Sequence, residues 1–123
     1  WKRIDGAKIV TGSYTGTGTF GSDGPCSLTF DFEPKIIMMV AMTSAGGDYY
    51  QYIGNYEKNG LYVMYPPLLS SEYVPNRAFA MEDSTVRDCY AKKVGNTVYW
   101  YHRYTPNTQA NTSGCTYHYM AIG

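Results

Sequence analysis

Short runs of β-branched, aromatic and aliphatic residues alternate with clusters of Gly, Pro, Asn and Asp along the whole chain. That rhythm predicts an all-β domain, a small antiparallel β-sandwich or barrel. The first run, residues 8–14, passes into Thr15-Gly16-Thr17-Gly18-Thr19-Phe20, whose glycines suit a bulged or edge strand. The spacing of those glycines is not a phosphate loop, because neither the Lys of a P-loop nor a following helix accompanies it. After the turn Gly21-Ser22-Asp23-Gly24-Pro25, residues 27–32 alternate cleanly with Leu28, Phe30 and Phe32 on one face, as a half-buried strand does. Glu33-Pro34 ends it.

The next run, Ile36-Ile37-Met38-Met39-Val40-Ala41-Met42, is apolar on both faces. The outer face of a two-layer antiparallel sandwich normally meets water, so this strand needs a second cover, and in so short a chain the cover expected is another subunit. Residues 44–48 read as a flexible loop, 49–56 as a tyrosine-rich segment too polar to be core alone, and 57–60 as a turn. A strand follows from Leu61 to Tyr65, stopped by Pro66-Pro67. The least periodic stretch, 68–77, reads as loop, and 78–81 as a short strand. Residues 85–93 fit a helical period behind Ser84, yet they also lead into Gly95-Asn96 as a hairpin arm would, and the strand reading is preferred. Residues 97–104 are the clearest strand of the chain. Ten polar and small residues, 105–114, then form a loop before the last strand, 115–122. In that strand Tyr117, Tyr119 and Ala121 alternate with His118, Met120 and Ile122, so both of its faces are expected to be buried, one in the core and one against a neighbouring subunit.

Length and composition narrow this picture. With 123 residues, 44% of them hydrophobic, the chain fits a single domain, 1–123, with a real core. Ten acidic and ten basic residues cancel, which removes the electrostatic drive toward nucleic acid or an anionic membrane. No apolar run approaches the ~18 residues of a membrane span, and the start Trp1-Lys2-Arg3-Ile4 lacks the apolar stretch expected of a signal peptide. A first residue other than Met suggests a piece of a longer polypeptide. Three widely spaced cysteines, Cys26, Cys89 and Cys115, make neither a disulfide framework nor a zinc motif and are expected to be reduced, small apolar residues. Tyrosine is the outlier at fourteen residues, a side chain with broad amphipathic contact area that is over-used in binding surfaces and is also a good strand former.

Catalytic chemistry finds little footing. His102 and His118 are the only histidines, and they would approach each other if the last two strands formed a hairpin, but no third metal ligand is evident. One sharper alternative has His118 recurring around a three-fold axis to hold an ion. Neither Cys89 nor Cys115 sits in surroundings that mark an activated thiol, and nothing singles out a pair of carboxylates for glycoside cleavage. The expectation is a non-enzymatic binder with no catalytic residue, no cofactor and no metal.

Binding chemistry is better supplied. With Val98 and Trp100 facing the core, Tyr101 and Arg103 face outward, followed by Tyr104. The loop beyond carries Asn107, Gln109 and Asn111, whose amides can donate and accept hydrogen bonds. Aromatic faces for a sugar ring's C–H surface, beside amides for its hydroxyls, are what carbohydrate recognition requires. The expected ligand-binding set is therefore Tyr101, Arg103, Tyr104, Asn107, Gln109 and Asn111. The competing reading is ordinary strand aromatics and loop polars.

A family resemblance bears on this segment. Thr11-Gly12-Ser13-Tyr14-Thr15-Gly16-Thr17-Gly18, Leu28-Thr29-Phe30-Asp31-Phe32-Glu33-Pro34-Lys35, Trp100-Tyr101, Gln109-Ala110-Asn111 and Tyr119-Met120-Ala121-Ile122-Gly123 resemble the C-terminal domains of tail-fibre proteins from phages and prophages of gut bacteria. The likeness runs in order along nearly the whole chain and is weakest in its middle third. The ending is also similar to that of H-type lectins, small β-sandwiches that assemble as trimers and bind sugars. The resemblance implies a homotrimeric tip at the end of a virion fibre, contacting a host-cell surface glycan or protein. Where related tips carry small polar residues after the Trp-Tyr pair, this chain carries His102, Arg103 and Tyr104, which is where target choice is expected to be set. The alternatives are a structural trimerisation or baseplate module without a ligand site and, further off, a polysaccharide depolymerase.

Overall fold

A computed structural model describes residues 8–42, 61–75, 88–106 and 108–123, with the side chains of Ala41, Met42 and Leu61 left aside. The expected features at 43–60 and 78–81 lie outside the described residues. What is described is all-β, with one short 3-10 turn, Pro66–Leu68. Among the described residues there are eight strands: β1 (Ile9–Thr15), β2 (Cys26–Thr29), β3 (Ile36–Met42), β4 (Leu61–Met64), β5 (Val74–Pro75), β6 (Cys89–Val94), β7 (Thr97–His102) and β8 (Thr116–Ile122). They form two antiparallel sheets in the orders β1-β8-β3-β4 and β2-β7-β6-β5.

The inner faces of the two sheets share one core. Ile37, Met39, Tyr62, Met64, Tyr117 and Ala121 come from the first sheet, and Cys89, Ala91, Val98 and Trp100 from the second. Tyr14 bridges them, stacking on Tyr117 at 5.1 Å and tilting against Trp100 at 6.3 Å. Each inner-facing set follows the two-residue period of its strand, which is why most expected strands lie close to where the alternation puts them; the strand expected over 27–32 instead ends at Thr29, before Phe30 donates its N–H to the Asn96 carbonyl of the β6–β7 turn at 3.1 Å. Cys26, Cys89 and Cys115 form no disulfide, and the latter two are buried, as expected.

Of the ambiguous segment 85–93, residues 89–93 are strand, in β6, and 85–87 lie outside the described residues. β6 and β7 are joined by the tight turn Gly95-Asn96, with Val94 opposite Thr97 and Gly95 at φ 60°, a value that favours glycine. Three further expectations are corrected. Residues 16–20 are not a strand: the chain leaves β8 after Gly16, whose N–H still donates to the Cys115 carbonyl at 2.8 Å, and the Gly18 N–H turns to the Asn111 carbonyl at 2.8 Å. The strand at 97–104 stops at His102, because the His102 ring Nδ1 accepts the N–H groups of Tyr104 and Thr105, both at 3.1 Å, and bends the chain. The supposed loop at 68–77 contains the edge strand β5, whose Pro75 is tolerated because it lies at the sheet's rim. The last two strands do not pair either. β7 and β8 belong to different sheets, so His102 is buried within one layer while His118 is exposed on the far side of the other.

Candidate functional site

The outer face of the β2-β7-β6-β5 sheet is built from the residues that alternate with its core positions. Counting back from the Gly95-Asn96 turn places Lys92 opposite Tyr99, Tyr90 opposite Tyr101, and Pro75 beyond Tyr90. The facing positions of an antiparallel pair bring side chains together, and here they stack: the rings of Tyr90 and Tyr101 lie 4.9 Å apart at 12°. Tyr73 meets Tyr101 edge-on at 4.9 Å. The Lys92 ammonium sits over the rings of Tyr73 and Tyr99, at 4.7 and 5.0 Å.

Beside the stacked pair opens a cleft of about 410 Å³, within the roughly 300–1,000 Å³ range of small-molecule sites. Tyr90, Tyr101 and Arg103 form one wall, and Phe20, Ser22 and Asp23 the other. Phe20 is an exposed aromatic, and the neighbouring Tyr104 is 61% exposed with the Arg103 guanidinium 5.3 Å from its ring. Burial raises the Tyr101 hydroxyl above its ordinary value, Tyr90 adds to this, and the positive charge of Arg103 offsets part of it. Burial likewise raises Tyr73. Both are phenols at neutral pH, able to donate a hydrogen bond as well as accept one.

Two buried amides hold the walls in place. Gln109 is 0% exposed. Its Oε1 accepts the N–H of His102 at 2.8 Å and of Gly21 at 3.2 Å, and its Nε2 donates to the carbonyl of Gly24 at 2.7 Å. Its own carbonyl accepts the Trp100 indole N–H at 2.7 Å. One side chain therefore ties the 21–24 turn to the end of β7. Asn111, 4% exposed, does the same for the preceding stretch: Oδ1 accepts Thr17 N–H at 3.0 Å, and Nδ2 donates to the carbonyl of Thr19 at 2.9 Å and to the Thr17 and Thr19 hydroxyls at 3.0 Å. Between them Ala110 is buried in the left-handed region at φ 59°, and its carbonyl accepts the Tyr14 hydroxyl at 2.8 Å.

The expected binding set is thus divided. Tyr101 and Arg103 line the cleft and Tyr104 stands exposed beside it. Gln109 and Asn111 are corrected from displayed ligand amides to internal ties, because the glycine-rich 16–24 loop has no strand partner and its backbone groups take these amides instead. Asn107 lies outside the described residues. The cleft also includes Phe20, Ser22, Asp23 and Tyr90, which the sequence reading does not reach. Of these, Tyr90 follows from the hairpin register alone, since residue 90 must oppose residue 101 once 94 opposes 97.

The other sheet presents a different surface. On its outer face Met38 and Val40 from β3 lie beside Met120 and His118 of β8, around a shallow hollow of about 620 Å³ that Thr11 and Ser13 border. Within the single chain the second face of β8 is therefore open rather than buried, with Met120 37% exposed. Comparison with family models, with curated proteins and with solved structures finds no match to this chain.

Proposed function

We propose that this chain is a receptor-binding tip domain of a phage tail fibre, which holds a host-cell surface glycan in the cleft beside the Tyr90–Tyr101 pair. The carrying observation is the cleft itself, with stacked tyrosine rings on one wall and polar groups on both. Flat aromatic surface receives the apolar face of a sugar ring, and Tyr101, Arg103, Ser22 and Asp23 offer donors and acceptors to its hydroxyls. The resemblance of the segments around Trp100-Tyr101 and of the chain's ending to phage fibre tips supplies the biological setting, including the virion as its location.

A homotrimer is part of the proposal, with the Met38, Val40 and Met120 face of the first sheet as the seam between subunits. The same face supports the second reading, a trimerisation or capping module that has no ligand of its own. Whole-cell binding separates the two. Tyr101→Ala and Arg103→Ala are expected to abolish binding to the cognate host while sedimentation shows an unchanged oligomer. Unchanged cell binding by both variants would refute the cleft as the receptor site, and loss of the oligomer with no separate binding defect would favour the structural module. Release of reducing sugar from host capsule would replace both with a depolymerase.

A further inference from the structure

Arg103, just past the end of β7, and Asp23, in the 21–24 turn, line the same cleft and yet form no ion pair with each other. The ion pairs among the described residues lie elsewhere, Lys8 with Asp31 and Lys93 with Glu33. Arg103 instead rests near the Tyr104 ring, and Lys92, the next cation on this face, rests between two tyrosine rings. Of the two, only Arg103 lines the cleft, where Asp23 is the one carboxylate, and no described acid is within ion-pairing distance of Arg103 or Lys92. A guanidinium presents its N–H groups as a planar fork that matches a carboxylate or phosphate and matches a lone hydroxyl poorly. A carboxylate in a sugar site accepts hydroxyl hydrogens, which Asp23 is placed to do from the facing wall.

From this arrangement we infer that the ligand of the cleft is an acidic sugar, one whose ring lies on Tyr90 and Tyr101, whose anionic substituent is held by Arg103 and whose hydroxyls reach Asp23. This inference rests on the glycan-binding reading and narrows it to a chemical class. The anion is a carboxylate, as in a uronic acid, or a phosphate ester; both fit the fork.

The test is an array of immobilised oligosaccharides matched in length: galacturonate-containing, hexose-phosphate-containing, amino-sugar and neutral galactose chains, probed with the intact protein and with Arg103→Gln. Binding is expected on one or both anionic sets, at least about tenfold weaker on the neutral chains, and reduced about tenfold or more by Arg103→Gln. The carboxylate and phosphate arms show which anion is bound. Raising salt from about 50 to about 500 mM should weaken it further, since the site is open to solvent. Equal binding to neutral chains, binding confined to amino sugars, or an unaffected Arg103→Gln would overturn the acidic class and leave glycan binding standing. No binding to any sugar, with the protein still attached to host cells, would overturn both and point to a protein receptor. Circular dichroism of Arg103→Gln guards against misfolding, and Arg103→Lys, which keeps the charge but loses the fork, is expected to recover only part of the affinity.

Discussion

Replacing Gln109 by alanine removes a weak hydrogen bond to the Cys26 sulfur at 3.6 Å and three stronger ones to backbone groups, from His102 N–H, from Gly21 N–H and to the Gly24 carbonyl. Each is worth about 1 kcal/mol net, and the His102 N–H, losing a 2.8 Å acceptor in a buried place, adds the desolvation cost of a polar group at about 1–2 kcal/mol. Gly21 N–H keeps the His102 carbonyl at 2.9 Å and the Gly24 carbonyl keeps the Thr19 hydroxyl at 3.2 Å, so those two groups are not stranded. The side chain's stem forfeits about 0.8 kcal/mol of burial, while release of an immobilised glutamine returns roughly 1.5 kcal/mol of entropy. The expected net loss is about 3–4 kcal/mol, a large share of the roughly 5–15 kcal/mol that holds a domain of this size together. At about 4 °C per kcal/mol, the midpoint of thermal unfolding should fall by about 12–16 °C. Urea unfolding followed by far-ultraviolet circular dichroism, at one fixed protein concentration, measures it. A loss under about 1 kcal/mol combined with lost host binding would refute the internal role and return Gln109 to the ligand set. Gln109→Glu sharpens the comparison. Its carboxylate can still accept from His102 and Gly21 but faces the Gly24 carbonyl with no hydrogen, so stability should improve as pH falls and the acid regains a proton to donate.

Asn111→Ala is expected to cost about 2–3 kcal/mol and to expose the 16–24 loop, so that chymotrypsin cuts after Phe20 at a rate well above that of the parent protein. Gly16→Ala should cost more than about 2 kcal/mol, because a Cβ there runs into the backbone carbonyl of Thr112; a midpoint within a degree or two of the parent's would contradict that packing. Alkaline pH should destabilise the fold: burial raises Tyr14, Tyr117 and the Cys26 thiol, the last to about 11, so these groups stay neutral in the fold while the unfolded chain ionises near pH 9–10. Stability is then full below about pH 9 and falls as pH rises toward 11, and denaturant midpoints that stay flat over that range would count against the burial of these groups.

The parts of the fold that alternation can encode are legible in the chain itself. β3 shows the pattern most clearly: Ile37 and Met39 fill the core while Met38 and Val40 lie on the opposite, outer face, as a strand apolar on both sides requires. The Tyr101 and Arg103 face is legible for the same reason, since Val98 and Trp100 have to turn inward. What periodicity cannot report is where irregular backbone finds its hydrogen bonds. Residues 105–114 are polar, and polarity in a loop ordinarily goes with exposure. This loop runs from β7 in one sheet to β8 in the other, and on the way its amides meet N–H and carbonyl groups of the 16–24 loop that belong to no strand ladder. A polar residue in such a position is inside because its partner is backbone, and nothing in its own neighbourhood of sequence shows that partner, which for Asn111 and Thr17 lies 94 positions away. The boundary of β7 is hidden similarly, since the histidine that ends it does so with a side-chain acceptor.

The same ties decide how the candidate site can vary. Asp23 and Phe20 stand on a turn that has no sheet of its own, and their distance from Tyr101 and Arg103 is set by Gln109, which holds Gly21 and Gly24 on one side and His102 on the other. Cleft width is therefore a property of a buried residue that no ligand touches. The residues on the walls have the opposite character: Arg103, Ser22 and Asp23 are exposed and carry little of the core, and the Arg103 backbone is held without its side chain, its N–H donating to the Asp88 carbonyl at 2.9 Å. A cleft divided in this way can exchange its wall side chains at little cost in stability, and under the proposed function a change of ligand would follow. It can exchange the amides behind the walls only by losing the cleft.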